Sequence, residues 1–291
     1  MLIEILKSIL FGIVEGITEW LPISSTGHMI LLDELISLDV TPAFRELFLV
    51  VIQLGAIVAV PILFWDKLVP SKKKSREENG RICSLWLKVI VGVLPAAVLG
   101  VLLDDFLDEY LFNFVVVAIA LIVYGVAFIV IERVNRGKQP GIESVYDLTY
   151  RDALVIGSYQ VLSLIPGTSR SGSTILGGML SGVSRTAASE FSFFMAIPVM
   201  LGASGIKLLK FFVDYLGAED KTLLIPDGQM LPYITYLLVG MLVSFILSLF
   251  IIKFLMSFVK SHSFSAFGIY RIALGALVIL YFSLKLGGVI A

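Results

Sequence analysis

The sequence is poor in cysteine, histidine and charged residues. Its 291 residues include a single cysteine, Cys83, which excludes an internal disulfide and any metal cluster built on cysteine ligands. Charged residues make up 15% of the chain and sum to a net charge of −1, so we expect no nucleic-acid partner. The N-terminus lacks the basic region and cleavage site of a signal peptide, and we expect the mature protein to begin at Met1.

Apolar residues are abundant instead. They make up 58% of the chain, and the mean hydropathy is +0.96. A soluble domain of this length could not bury so much apolar surface, so the composition predicts a polytopic membrane protein. A spanning helix needs about 20 apolar residues. Six segments qualify, the last one despite Arg271 within it: 47–65, 82–103, 111–131, 191–212, 230–252 and 267–286.

Two further apolar stretches, 2–35 and 152–181, are interrupted by Pro22 and by Pro166-Gly167. A broken helix is tolerated at membrane depth where its irregular backbone is buried in protein or lines a cavity. Each stretch is therefore predicted to enter the membrane and return as a re-entrant helical hairpin. The predicted fold class is an all-α polytopic membrane protein with six transmembrane helices and two such hairpins.

The basic residues between the spans predict an orientation. Segments 66–81, 132–151 and 253–266 are rich in Lys and Arg and are expected to be cytoplasmic, whereas the acidic segments 104–109 and 213–229 are expected to be external. These signs alternate across all the predicted spans. The first hairpin then enters from outside and the second from the cytoplasm.

The two hairpins predict an inverted repeat. We expect one membrane domain, 1–291, in which 1–145 and 146–291 are inverted copies. Such repeats with broken helices are typical of secondary transporters, so the architecture alone favours a transporter. Pairs of similar residues recur at a shift of 145: Gly12/Gly157, Glu15/Gln160, Ser24/Ser169 and Gly27/Gly172.

The first hairpin carries acids and a possible nucleophile in the segment EGITEWLPISSTGH, residues 15–28. Glu15 and Glu19 lie on one helix face, where they could hold a divalent cation, or one could act as a general base. Ser25 with His28 as base, or His28 itself, could act as the nucleophile. The alternative is that Ser24 or Ser25 only caps the returning helix. That alternative leaves the burial of two acids and a histidine without a purpose.

The second hairpin carries an anion-binding pattern in PGTSRSGST, residues 166–174. Its glycines allow a close backbone approach, and Arg170 can grip phosphate oxygens with two parallel hydrogen bonds. A helix starting near Ser171 would add its N-terminal amides. The alternative is a small-residue helix contact with Arg170 reaching out to water. The candidate hydroxyl donors are Ser169, Ser171, Ser173 and Thr174.

These two motifs, together with SGVSRTAASEFSF at 181–193, resemble those of the bacterial undecaprenyl-diphosphate phosphatase family, also called the bacitracin-resistance protein BacA family. The resemblance covers essentially the whole chain. It implies an enzyme of the bacterial cytoplasmic membrane that removes the terminal phosphate of undecaprenyl diphosphate. The product would be the carrier lipid of cell-wall peptidoglycan synthesis. The resemblance also implies a site open to the outer face and support by a divalent cation, Mg²⁺ or Ca²⁺.

The resemblance assigns roles to residues of this chain but does not decide whether Ser25 or His28 attacks phosphorus. Glu15 and Glu19 match the family's acidic site residues and are the expected metal ligands. The expected catalytic residues are Glu15, Glu19, Ser25, His28 and Arg170. The expected diphosphate-binding residues are Ser24, Thr26, Ser169, Arg170, Ser171, Ser173 and Thr174.

The rival hypothesis is a transporter or flippase of polyprenyl phosphate or another anion. The nucleophile–base turn at 24–28 has no counterpart at 169–173, and a carrier gains nothing from that asymmetry, so a hydrolase is favoured. The expected partners are a polyprenyl diphosphate lipid and membrane lipids, with no nucleic acid. The sequence leaves a homo-oligomer open.

Overall fold

The computed structural model describes residues 1–111 and 113–287. Apart from an isolated bridge between Ile142 and Val183, the regular structure of this part is helical. Short 3₁₀ turns lie at Val161–Leu164 and Lys221–Leu223. The helices are α1 Leu2–Thr18, α2 Ser25–Leu35, α3 Pro42–Val51, α4 Gln53–Leu63, α5 Trp65–Leu68, α6 Arg76–Tyr110, α7 Phe114–Asn135, α8 Tyr150–Gln160, α9 Arg170–Leu180, α10 Arg185–Gly217, α11 Met230–Ser261 and α12 Ser265–Leu286.

Six helical segments are long and apolar enough to cross a membrane. Each overlaps one of the spans predicted from the sequence, so that prediction is confirmed and the chain is a multi-pass membrane protein. The segments are Pro42–Leu63, Arg76–Leu103, Phe114–Asn135, Arg185–Gly217, Met230–Ser261 and Ser265–Leu286.

Each of these segments differs from the predicted bounds at one end or both, and two of the differences involve charged residues. The first begins at Pro42 rather than at residue 47, because Thr41 caps the helix there by accepting from the Phe44 N–H at 3.3 Å. The charges in its first turns are paired: Arg45 lies 3.7 Å from Asp33, and Glu46 lies 2.9 Å from Lys207. The backbone of α6 continues to Tyr110, so 104–109 is helix rather than loop. The acidic side chains of 104–109, on which the predicted external position rests, lie outside the described residues.

The two breaks have the same local structure. Helix α2 follows the first break and α9 follows the second, and each is 11 residues long. Ser24 caps α2 by accepting from the Gly27 N–H at 3.3 Å, and Ser169 caps α9 by accepting from the Gly172 N–H at 3.1 Å. Ser24 thus has the capping role that was given from the sequence as the alternative to ligand binding.

Backbone strain marks the same two serines. Their φ angles are 73° and 75°, and among the described residues they are the non-glycine positions with positive φ. Such left-handed backbone costs roughly 1–3 kcal/mol per residue and persists only where the surroundings impose it.

Glycines let the hairpin helices pack closely on the spans. A Cβ on Gly12 of α1 would lie 2.6 Å from the carbonyl oxygen of Gly240 on α11. A Cβ on Gly157 of α8 would lie 1.9 Å from the carbonyl oxygen of Gly92 on α6. Any larger side chain would force these backbones apart, so the glycines set how close the hairpins lie to the spans.

The first break is packed into the interior of the protein. Trp20 is fully buried, and its ring meets Phe193 of α10 edge to face at a centroid distance of 5.2 Å. Aromatic pairs of this geometry add to the stability gained by burial. The chain at the break is therefore held between helices and does not face lipid.

Candidate active site

The two breaks border one cavity of about 400 Å³. Glu19, Ser25 and Thr26 line it from the first hairpin, and Ser169 and Arg170 line it from the second. Helices α6 and α10 supply most of the remaining wall. Residues about 150 positions apart in the chain therefore form a single site.

Glu19 connects the two hairpins. Its Oε2 accepts a hydrogen bond of 2.6 Å from Ser25 Oγ, and its Oε1 accepts one of 3.0 Å from Arg170 Nη2. The side chains of Glu19 and Arg170 are only 8% and 10% exposed. At this burial an unpaired carboxylate would be costly, so the arginine stabilises the charged form next to the serine.

Helix α10 positions Arg170. The guanidinium donates through Nη1 to the Ser192 carbonyl at 2.8 Å, and Ser192 Oγ accepts from Thr174 Oγ1 at 2.7 Å. Nε of Arg170 is buried without a partner among the described residues. Ser192 had no role assigned from the sequence, although it lies within the third motif.

The predicted phosphate-binding hydroxyls divide into two groups. Ser169 lines the cavity, as predicted. Ser171, Ser173 and Thr174 are at most 1% exposed and do not line it. Their hydroxyls instead donate to protein: Ser171 to the Glu19 and Leu21 carbonyls at 3.3 Å, Ser173 to the Ser169 carbonyl at 3.0 Å, and Thr174 to Ser192. They hold the loops together around the site.

The other predicted hydroxyls also divide. Thr26 is exposed and lines the cavity, whereas Ser24 is fully buried as the helix cap. Only Thr26 of this pair is placed to reach a bound ligand without a rearrangement.

His28 does not pair with Ser25. Its Nδ1 lies 2.7 Å from the Ser24 carbonyl, and its Nε2 lies 2.6 Å from the Tyr270 hydroxyl. A carbonyl oxygen can only accept, so Nδ1 carries the proton and Nε2 accepts from Tyr270. The imidazole stacks on the Tyr270 ring at 5.6 Å and is not part of the cavity wall. The serine–histidine pair, one of the two alternatives left open by the sequence, is therefore not formed, and Glu19 contacts Ser25 in the place of the base.

Two buried polar side chains keep unused hydrogen-bonding capacity near the site. Glu15 is 2% exposed, and its Oε1 has no partner among the described residues. Gln160, at the matching position of the second hairpin, is 1% exposed, lines the cavity, and has no partner for either amide atom. Unsatisfied buried groups of this kind cost roughly 1–3 kcal/mol each, which a bound water, ion or substrate would offset.

Arg271 of α12, to which no role was assigned from the sequence, connects the backbones of the two breaks. It is fully buried, and Nη1 donates to the Pro22 carbonyl at 3.1 Å. Nη2 donates to the carbonyls of Gly167 and Thr168 at 2.8 and 2.9 Å. One guanidinium thus fixes the spacing between the hairpins. The available signal was an arginine within an apolar span, which by itself marks a functional position.

Comparisons with known proteins agree on one family. The family model described as bacitracin resistance protein BacA matches residues 8–277. A protein of Enterococcus faecalis named undecaprenyl-diphosphatase is 55% identical over 281 residues, covering 96% of this chain and 97% of that protein. Proteins of the same name from Desulfitobacterium hafniense and Acetivibrio thermocellus are each 51% identical. They cover 98% and 97% of this chain, and 98% of each relative.

Replacing Arg271 by lysine should disturb the site while leaving the fold intact. A lysine keeps the charge but lacks the planar fork that reaches carbonyls of both breaks. We expect turnover of a diphosphate substrate to fall roughly 10- to 100-fold, because small misplacements of reacting groups have effects of this size. The measurement is phosphate release by purified protein whose thermal unfolding matches the parent. Arg136→Lys, at an exposed arginine, is the matched control. Full turnover by Arg271→Lys would contradict the positioning role.

Proposed function

Because the chain belongs to the bacitracin resistance protein BacA family, we propose that it hydrolyses undecaprenyl diphosphate to undecaprenyl phosphate and inorganic phosphate. The product, undecaprenyl phosphate, would be the carrier lipid that is used again in cell-wall peptidoglycan synthesis. The names of the protein's relatives support undecaprenyl diphosphate as the substrate. The main structural support for this reaction is that Glu19 accepts hydrogen bonds from the Ser25 hydroxyl and from Arg170 at the wall of one cavity.

Ser25 is the proposed nucleophile. Its oxygen forms a bond to the terminal phosphorus while the bond from that phosphorus to the bridging oxygen breaks, and the lipid leaves as undecaprenyl phosphate. Glu19, 2.6 Å away, takes the hydroxyl proton. A water molecule then displaces the serine from phosphorus, and the serine oxygen regains a proton.

Arg170 stabilises the charge that builds up on the phosphoryl oxygens. Its guanidinium lines the cavity, and the Ser192 carbonyl orients it through Nη1. Fixed donors at the point where charge develops are usually the largest contribution to such catalysis. Gln160 would bind the diphosphate or the attacking water, because neither of its amide atoms has a partner in the described structure and it borders the same cavity.

A divalent cation, Mg²⁺ or Ca²⁺, is part of the proposal. No group of three or more His, Cys, Asp or Glu that could hold a metal occurs in the described part of the chain. Glu15 and Glu19 are nevertheless oxygen donors one turn apart, and Glu15 Oε1 is free. This fits the preference of Mg²⁺ for one or two carboxylates completed by substrate phosphate and water. When bound, the cation would neutralise phosphate charge.

The lipid tail is proposed to leave the cavity between α6 and α10. The walls there combine small residues, Gly100 and Gly202 among them, with Val101 and Ile206, which are 74% and 63% exposed on the outer surface of the helices. An apolar, laterally open wall beside charged groups suits an amphiphile whose headgroup enters while its chain stays in lipid.

We also propose that the hairpins are re-entrant and that the two halves form an inverted repeat. Helices α2 and α9 lie at a shift of 145. The shift also relates Pro22 to Gly167, and the carbonyls of both accept from Arg271. Gly125 of α7 and Gly268 of α12, 143 positions apart, face each other, with each Cβ site within 2.7 Å of the other's carbonyl. A contact between positions so close to equivalent in the two halves is expected where a two-fold axis passes.

The proposed location is the cytoplasmic membrane of a bacterium, with the site open to the outer face. Gly100 and Ile206 lie toward the ends of α6 and α10 that the charge pattern predicts to be outside.

With six spans, both termini should be external. Cysteines introduced at positions 2 and 287 on a Cys83→Ser background should both react with an impermeant maleimide added to intact cells. Labelling of only one of them would contradict the topology.

The nucleophile can be identified by trapping the enzyme with substrate labelled in its terminal phosphate. We expect the parent protein and His28→Gln to carry transient, covalently bound phosphate label that survives acid, as phosphoserine does. Ser25→Ala should carry no label. Glu19→Gln should lower turnover roughly 10²- to 10⁴-fold, the usual contribution of a general base, and a chelator should lower it as well. Acid-labile label that persists in Ser25→Ala would assign the attack to His28. A folded protein that releases no phosphate would favour the transporter.

The tail route can be tested by filling it. A Cβ on Gly202 or Gly205 of α10 would meet nothing within 4 Å, but only Gly202 lines the cavity. Gly202→Trp should lower the rate with undecaprenyl diphosphate by about 10-fold or more, with a smaller effect on a short-chain farnesyl substrate, because the indole would obstruct the long chain. Gly205→Trp is the control and should leave both rates near the parent values. Equal effects of the two substitutions would exclude this route.

A further inference from the structure

A second cavity, of about 360 Å³, lies at the opposite end of α9 from Arg170 and is lined in part by the motif at 181–193. It is bordered by the end of α7, the connection from α9 to α10, and the end of α11. None of the residues proposed for catalysis lines it. Its walls include parts of two basic segments, 132–151 and 253–266, so it lies on the side of the membrane that the charge pattern makes cytoplasmic.

The lining of this cavity is cationic. Lys138 and Lys260 are exposed, and neither side chain has an ion pair or hydrogen bond among the described residues. Arg185 binds Glu132 through Nε and Nη2, and its Nη1 has no partner in the part of the chain that the structure describes. Glu132 is fully engaged, since it also accepts from the Phe264 amide at 2.8 Å. Three cationic residues, Lys138, Arg185 and Lys260, therefore line the cavity, and the acid that binds Arg185 lies outside its wall.

The start of α10 adds donors to the same cavity. Arg185 and Thr186 are the first residues of this 33-residue helix, and both line the cavity. Ser184 caps the next amide, that of Ala187, at 3.2 Å. The uncapped amides and the positive end of the helix dipole favour an anion.

The cavity is built by fixed loops. The Gly141 amide donates to the Gly182 carbonyl at 2.9 Å, and the Ser184 amide donates to the Ile142 carbonyl at 2.8 Å. These bonds tie the segment that carries Lys138 to the start of α10. Asn135 Nδ2 donates to the Met179 carbonyl at 3.2 Å and joins α7 to α9. The cationic groups are thus brought together by the fold.

We propose that this cavity binds the phosphate-bearing headgroup of an anionic phospholipid from the cytoplasmic leaflet. Lys138, Lys260 and the α10 amides would hold the phosphate. Met179, Val183 and Val259 form apolar wall, which suits the glycerol and ester region of a lipid and offers nothing to free phosphate. Basic pockets between membrane helices at the cytoplasmic side have this preference. The inference uses the proposed orientation but not the phosphatase reaction.

The test compares two double variants of the full-length protein that lose the same charge. Lys138→Gln/Lys260→Gln removes the cavity lysines. Lys72→Gln/Lys73→Gln removes two exposed lysines of another segment on the same predicted face and outside the cavity. Phosphatidylglycerol and phosphatidylcholine retained after reconstitution and detergent extraction would be counted by native mass spectrometry, with and without millimolar inorganic phosphate. Phosphate release from a short-chain diphosphate would be measured in parallel.

We expect the parent and the Lys72/Lys73 variant to retain phosphatidylglycerol in preference to phosphatidylcholine. The cavity variant should bind it on the order of 10-fold or more weakly, since each lysine near a lipid phosphate contributes severalfold. All three should release phosphate at similar rates. Equal losses of bound phosphatidylglycerol in both variants would show that only general surface charge matters. The proposed binding site would then be wrong. Displacement of the lipid by millimolar phosphate would overturn the lipid assignment in favour of a free anion.

Discussion

The structure depends on one buried ion pair, the contact between Glu19 and Arg170. Taking two charges out of water is costly, and the cost is recovered only if their hydrogen bonds are satisfied and well aligned. Here Glu19 is bonded on both oxygens, and Arg170 is bonded to both Glu19 and α10. The pair exists only when the two hairpins meet, so the folding that buries it also completes the site.

The surrounding residues make this meeting rigid. Arg271 binds the backbone of both breaks, and strained serines begin the helix after each. Glycine contacts press the hairpin helices onto the spans. A site fixed before substrate arrives needs no reorganisation as charge develops on the phosphate, which is the main source of catalytic power in reactions of this kind.

Much of this could be predicted from the sequence. Hydropathy located the six spans, and the Pro and Gly breaks marked the two segments whose ionisable groups line one cavity. Local patterns could not show which direction a side chain takes. Ser25 and His28 are close along α2, yet the imidazole turns to Tyr270 on a helix more than 200 residues away. The hydroxyls of Ser171, Ser173 and Thr174 looked like ligand donors but serve the protein backbone and Ser192. The contacts of Arg271 could not be predicted either, since its partners are carbonyls whose positions depend on the whole fold.

A double-mutant cycle shows whether Glu19 and Arg170 act as one unit across the two hairpins. The quantity is kcat/KM for phosphate release by Glu19→Gln, Arg170→Gln and the double variant. We expect the double variant to be little worse than either single variant, because each single change already breaks the same contact. Losses that simply multiply would contradict it.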